Sequence, residues 1–305
     1  MEYHQFCAEL REEVRTMLGD EYVVEVKQIT KNNGVVKQGL IIGTKESNIR
    51  STIYLENYYE EYYRGLCLKE IAQAILMLYI KEASAENVIQ TMFSREDMMD
   101  KIVFRVINYD RNQELLKECP HERCMGDLVM VFYWIVDTKD SSFGSFRITY
   151  DHLKHFGLSF EELKQLAFVN TRKMFPPMVR NMEDILVEAI MECEGDDIST
   201  ELKQLDLKNN NEYMYVLTNK QKIFGAGCIL YPEVLQSFSN RVNADVVILP
   251  SSIHEQILVP YKDTMDIEDL RAMVKEINLT QVLEEERLSD NVYLYDRESD
   301  EIKLA

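Results

Sequence analysis

Glycine and proline are scarce, 11 and 6 among 305 residues, against typical usage of roughly 7% and 5%. That scarcity argues against long flexible linkers and against a turn-rich sandwich of short strands. Positive charge is also in deficit: 34 basic residues face 53 acidic ones, a formal net charge of -19. Proteins hold a phosphate backbone with Lys and Arg that displace its counterions, so direct nucleic-acid binding is disfavoured, as is attraction to an anionic membrane surface. Long apolar runs are missing too. The longest, Leu128 to Val136, is about half of what a helix needs to cross a bilayer and reads as a buried strand. The opening Met1-Glu-Tyr-His-Gln-Phe-Cys7 has neither the basic nor the apolar region of a signal peptide, so a cytoplasmic protein is expected. Cys7, Cys67, Cys119, Cys124, Cys193 and Cys228 are dispersed, unlike the dense framework of a small secreted domain, and reduced thiols are expected.

A chain with 46% hydrophobic residues can bury a large core, in one large domain or two of ordinary size. Phe6, Leu10, Val14 and Met17 recur at helical spacing, which predicts a helix over 2–18 stopped by Gly19. Alternating runs at Tyr22–Ile29 and Val35–Ile42 flank Lys31-Asn-Asn-Gly34, the clearest hairpin in the chain. A strand at Ile49–Leu55 follows. Tyr58 with Tyr62, and Tyr59 with Tyr63, then fall on one side of a helical turn, a stripe better suited to packing than to ligand binding. Leu68–Lys81 reads as an apolar helix. Further strands are expected at Lys101–Asn108, Leu128–Val136, Ser145–Tyr150, Tyr213–Thr218, on both sides of Pro250, and at Asn291–Asp296, with a fraying tail. Helices are expected at Ser159–Lys173, Pro177–Glu192, Pro232–Val242 and Met265–Ile277, and an exposed connection at Glu194–Asn211. Leu66–Ile71, Leu158–Leu163 and Met265–Leu270 share one order of apolar and acidic residues, which raises the hypothesis of repeated strand-to-helix units. The prediction is an α+β fold with mixed or antiparallel sheets and packed helices. Residues 1–115 form an N-terminal part carrying the hairpin and the Tyr-rich helix, and residues 116–305 a C-terminal part.

The most site-like stretch is Pro250-Ser-Ser-Ile-His-Glu255. Ser252, His254 and Glu255 are the residue types of a hydrolase, in which an imidazole activates a hydroxyl and a carboxylate orients the imidazole. Neighbours this close seldom align such a relay, and the Gly-x-Ser-x-Gly elbow is missing. A strand, a proline break and a returning strand is the preferred reading. Cys119, His121 and Cys124 could supply zinc ligands, with His152 or His155 completing a tetrahedron, but the second short knuckle of a structural zinc site is lacking. Gly225-Ala-Gly227 lacks the third glycine of a dinucleotide fingerprint and reads as a turn. No cofactor is expected.

Taken together, Thr30-Lys-Asn-Asn-Gly34, Ser51-Thr-Ile-Tyr-Leu-Glu56, Pro120-His121, Thr218-Asn219, Leu249-Pro-Ser-Ser-Ile-His-Glu255 and Leu288-Ser-Asp-Asn-Val-Tyr293 resemble an uncharacterised bacterial family, domain of unknown function 5688. The likeness spans nearly the whole chain. That family carries no assigned activity, so the resemblance implies no catalytic residue, and Cys119 and Cys124 fall outside its pattern. The functional expectation is a cytoplasmic, non-catalytic protein that acts through protein contacts. Two alternatives stand beside it: a hydrolase centred on Ser252, His254 and Glu255, and an acidic inhibitor that occupies a basic, nucleic-acid-binding partner.

Overall fold

The computed structural model describes residues 1–46, 50–91, 98–137, 143–193 and 214–305. It is an α+β protein with three antiparallel sheets among the described residues, and it separates into two compact units. One comprises Met1–Lys101 with Trp134–Phe146, the other Ile102–Tyr133 with Arg147–Ala305.

In the first unit, strands β1 (Tyr22–Thr30), β2 (Val36–Thr44) and β3 (Ser51–Tyr54) form an antiparallel sheet in sequential order. The β1/β2 turn passes through Asn33 and Gly34, both at positive φ (59° and 72°), the conformation that Asn and Gly tolerate best. Helices α1 (Tyr3–Leu18), α2 (Glu56–Tyr63) and α3 (Leu68–Thr91) complete the unit. Phe6, Leu10, Leu40, Ile42, Ile71 and Ile75 are buried together. Tyr58, Tyr59 and Tyr62 of the tyrosine stripe pack against this core, while Tyr63 stays exposed. Tyr59 meets Tyr3 at 4.8 Å and Phe6 at 5.1 Å, while Tyr62 meets Phe6 at 5.4 Å. Glu56 accepts from the Tyr3 hydroxyl at 3.0 Å and the Gln38 N–H at 2.7 Å, fastening helix to sheet.

Strands β4 (Ile102–Asn108), β5 (His121–Met125), β6 (Leu128–Asp137) and β7 (Phe143–Arg147) form a sheet of order β4-β6-β5, with β7 on β6. The short helix α4 (Gln113–Leu116) precedes β5, and α5 (Tyr150–Phe156) and α6 (Phe160–Met174) follow β7. The strand expected to reach Tyr150 ends at Arg147, because Thr149 caps α5 by accepting from the His152 N–H.

The third sheet has the order β13-β12-β10-β11-β9-β8. Its strands are β8 (Pro177–Asn181), β9 (Tyr215–Asn219), β10 (Val246–Ser252), β11 (Glu255–Pro260), β12 (Tyr293–Asp296) and β13 (Glu301–Leu304). Helix α7 (Met182–Cys193) follows β8, α8 (Pro232–Val242) lies between β9 and β10, and α9 (Ile267–Thr280) follows β11. Val247, Leu249 and Val259 pack with Val274 of α9. On β10, Val246 through Leu249 are all buried, as befits a strand covered on both faces.

Three sequence expectations change here. The helix expected from Pro177 begins at Met182: residues 177–181 pair with β9 instead, and the Asn181 side chain accepts from the Glu183 N–H at 2.8 Å to start α7. The tail does not fray, because Glu301–Leu304 pairs with β12. Pro250 does not break the chain; it lies within β10 opposite Gln256, and the reversal falls at Ile253-His254. Leu66–Ile71, Leu158–Leu163 and Met265–Leu270 all enter helices, preceded by α2, α5 and β11 respectively. The connection expected at Glu194–Asn211 lies outside the described residues.

Candidate functional site

The turn between β10 and β11 brings His254 against the loop that follows β9. His254 Nδ1 accepts from the Phe224 N–H at 3.1 Å, which fixes the neutral ring with its proton on Nε2. Nε2 lies 3.5 Å from Glu286 Oε1. The Ser252 hydroxyl, in a buried residue, accepts from the backbone N–H of His254 at 3.0 Å. Nδ1 is therefore committed to the Phe224 N–H, Nε2 faces the Glu286 carboxylate, and Ser252 bonds to the backbone of His254 rather than to its imidazole. Glu255 pairs with Ser252 at the start of β11, while the carboxylate beside the ring is that of Glu286. The structure thus gathers Ser252 and His254 without assembling a hydroxyl–imidazole–carboxylate relay.

What His254 holds is a strained residue. Phe224 has φ 52° and ψ 27°, a left-handed conformation unusual for a bulky side chain. Its ring lies 5.2 Å from that of His254 and carries the Arg105 guanidinium at 3.4 Å on its face. Arg105 also sits 4.0 Å from the Tyr133 ring, making a cation sandwiched between two aromatic faces. Burial pushes the Arg105 guanidinium down to about 10, so it stays charged at neutral pH. Arg105 was not singled out in the sequence, although a lone charge within Ile-Val-Phe-Arg-Val-Ile, an otherwise apolar strand, was the available signal.

Thr218 and Asn219 complete the nest. The Thr218 hydroxyl donates to the His254 carbonyl at 2.8 Å. Asn219 donates to the Ile223 carbonyl at 2.6 Å and accepts from the Gln221 N–H at 3.0 Å, shaping the loop between. Gly225 and Gly227 are buried and make room for protein rather than for phosphate. A Cβ on Gly227 would lie 3.0 Å from the Phe104 ring. Replacing His254 with alanine should lower stability by about 1–3 kcal/mol, the cost of leaving the Phe224 amide without its acceptor. Chemical denaturation of purified protein would measure it, and an unchanged midpoint would refute this fastening role.

The second cluster surrounds Asp127, in the turn between β5 and β6. Its carboxylate accepts from Asn108 Nδ2 at 2.8 Å, from the Ser289 hydroxyl at 2.9 Å and from the Tyr293 hydroxyl. Tyr293 is fully buried. Burial, and then the bond to Asp127, raise its hydroxyl well above the usual tyrosine range. Arg111 pairs with Asp290 at 2.6 Å, and Asn278 donates to Asp290 at 2.8 Å. Leu288–Tyr293 is thereby tied to β4, the β5/β6 turn and α9.

The Cys119 segment is equally structural. Cys119 is buried and donates to the Leu115 carbonyl at 3.0 Å, while His121 Nδ1 lies 2.9 Å from the Cys119 carbonyl. Burial pushes the thiols of Cys119 and Cys124 up to about 11 and about 12. Among the described residues no group of three or more His, Cys, Asp or Glu side chains could hold a metal ion. His152 instead accepts from the Thr149 N–H at 3.0 Å in the α5 cap.

The chain belongs to a family of unknown function, DUF5688, whose match covers residues 3–297. No curated protein and no solved structure matches it. Thr218-Asn219 and Leu249–Glu255 meet in the His254 nest, and Leu288–Tyr293 holds Asp127, so motifs far apart in sequence converge as fasteners. Among the described residues no helix is long and apolar enough to cross a membrane.

Proposed function

We propose that this is a cytoplasmic, non-catalytic protein that acts by binding another protein. The observation that carries the reading is the outward side of α3. Ile71, Ala72, Ile75 and Tyr79 fill its buried face, yet Met77 and Ile80 on the opposite side are 74% and 66% exposed. Amphipathic surface helices keep polar residues outward, and large apolar side chains left in water favour a protein cover. Tyr63 and Leu66, just before α3, are exposed as well. Methionine suits such a face, because its flexible thioether adapts to a partner's contour. The use of His254 Nδ1 as acceptor for the Phe224 N–H, and of the Ser252 hydroxyl as acceptor for a backbone N–H, weighs in the same direction, against the hydrolase alternative.

Cross-linking in native cells, affinity purification of the tagged protein and mass spectrometry would test the proposal. The expected result is a partner whose recovery falls about tenfold, some 1.4 kcal/mol, in the double substitution Met77→Glu and Ile80→Glu. Equal recovery with the variant, or no partner at native abundance, would reject the reading. Capture that weakens steeply with salt would assign the partner to the basic, nucleic-acid-binding class.

A further inference from the structure

A groove of about 330 Å³ runs between the edge strand β8 and helix α8, lined by Pro177 and Val179 on the strand and by Val234, Phe238 and Arg241 on the helix. We propose that this groove binds an extended peptide segment of a partner protein, added as a strand along β8, with an apolar side chain over Val234 and Phe238 and a carboxylate at Arg241. The inference rests on the reading that the protein works through protein contacts, and it specifies the chemistry of one such contact.

The backbone supplies the first argument. Lys220 donates to the Pro176 carbonyl and Met182 to the Met214 carbonyl. Together with the register Pro177↔Asn219 through Asn181↔Tyr215, these bonds set the parity of the ladder: Met178 and Arg180 turn their amide groups toward β9, and Val179 turns its own toward the free edge. Among the described residues no strand lies beyond β8. The N–H and C=O of Val179 are thus aligned to receive an added strand, the mode by which sheet edges capture extended peptides. Pro177 lacks an N–H, which limits pairing at that end and concentrates it at Val179.

The side chains supply the second. Pro177 and Val179 share one face of β8, and Glu233, Val234, Ser237, Phe238 and Arg241 share one face of α8, so the groove follows both elements. At one end Glu233 is neutralised by Arg172. At the other, Arg241 lies 5.3 Å from the Tyr215 ring and 5.1 Å from the Phe238 ring and forms no ion pair among the described residues. Arg180, next to Val179 and so on the other face, is by contrast closed by Glu188 at 2.7 Å and 2.6 Å. An exposed arginine without a carboxylate among the described residues, steadied by two aromatic rings, is complementary to an incoming carboxylate. Side chains two residues apart on an added strand share a face at roughly 6.6 Å separation, which sets the apolar, any, acidic order of the ligand.

The probe is a fluorescein-labelled peptide of sequence Ser-Val-Thr-Val-Thr-Glu-Ser, blocked at both ends, titrated with the full chain by fluorescence anisotropy. It should bind, while a version with lysine in place of glutamate should bind about tenfold more weakly or not at all. Arg241→Glu, at an exposed position that leaves the fold intact, should reverse that preference. Two further peptides, N-methylated on alternate residues in opposite phases, should differ, since only one phase removes the N–H groups that face β8.

No binding up to about 2 mM, equal affinity for the two peptides, indifference to Arg241→Glu, or tolerance of both N-methyl phases would each overturn the proposal. So would a dimer seen by sedimentation without peptide and dissociated by Arg241→Glu, which would assign the groove to a second copy. Peptide failure with partner capture through α3 intact rejects the groove alone. Loss of that capture with peptide binding intact rejects the α3 reading alone.

Discussion

Substituting alanine at Gly225 should cost about 3 kcal/mol or more and leave the second unit largely unfolded at physiological temperature. A Cβ there would lie 2.3 Å from the Thr218 hydroxyl, 2.6 Å from the His254 carbonyl and 2.8 Å from the Asn219 nitrogen. Two of those atoms are backbone, and the third is held in the bond from Thr218 to His254 at 2.8 Å, so none is the loose end of a side chain. The loop after β9 would have to leave the β10/β11 turn, taking with it the Phe224 amide and the ring stack on Arg105. Calorimetry and hydrogen exchange are the measurements. Protection should fall in β9, in the loop at 220–230 and at the β10/β11 turn, while α1 and β1 to β3 keep theirs. Adding Thr218→Ala should not restore stability, because the two backbone contacts remain. A Gly225→Ala protein as stable as the parent would show that the loop can move away without loss.

Removing the Asp127 carboxylate is expected to have the next largest effect, about 3–4 kcal/mol for Asp127→Ala. Hydrogen bonds to a charged acceptor contribute roughly 1.5–3 kcal/mol each, and a buried donor stripped of its acceptor also bears its desolvation cost. The Tyr293 hydroxyl would lose its charged acceptor. Asn108 would keep the Leu288 carbonyl at 2.9 Å, and Ser289 would keep the Asn291 amide at 3.0 Å, so the three losses should not simply add. Tyr293→Phe should cost less than Asp127→Ala, since it deletes one donor and leaves the carboxylate with two. Urea denaturation of the three proteins gives the ranking. The prediction fails if Tyr293→Phe proves as damaging as Asp127→Ala, because the carboxylate would then not be the hub.

The two residues divide the same task. Gly225 permits a close approach and Asp127 satisfies the polar groups that such approaches bury. Both belong to the second unit, and both concern stretches in which the family motifs meet. Those motifs are rich in Ser, Thr, Asn and Asp, side chains that bond to backbone in turns. Their use here is to hold loops, which accounts for hydrolase-like residue types in an arrangement that lacks a relay.

Periodicity and turn chemistry made much of the fold legible. Helix α1, the β1/β2 hairpin and helix α8 need only local signals: apolar residues every three or four positions, an Asn-Gly turn, a proline at the first helical position. The caps of α6 and α9 are local as well: the Ser159 and Asp266 side chains accept from helix N–H groups two or three residues on. Residues 177–181 were read as helix because the apolar pattern of α7 runs on from them without a break. Only the neighbouring β9 could turn them into a strand, since a strand's hydrogen bonds are made with residues distant in sequence. The same holds for β13, whose partner is β12.

By itself, then, the sequence determined the α+β class, the amphipathic helices, the hairpin and the excess of acidic charge, all properties set by neighbours within a few residues. It also singled out Ser252 and His254 by residue type. The tertiary structure decided what they do: Phe224, 30 positions from His254, takes up its Nδ1, and Glu286, 32 positions away, lies 3.5 Å from its Nε2. It likewise decided that Arg105 is clasped between aromatic rings and that, among the described residues, Arg241 is not matched by a carboxylate. The chemistry of a side chain is written locally, but its partners are brought together by chain crossings whose energy is distributed through the whole core. For that reason spacing alone could propose a site around His254, and only packing could show that it is a fastening.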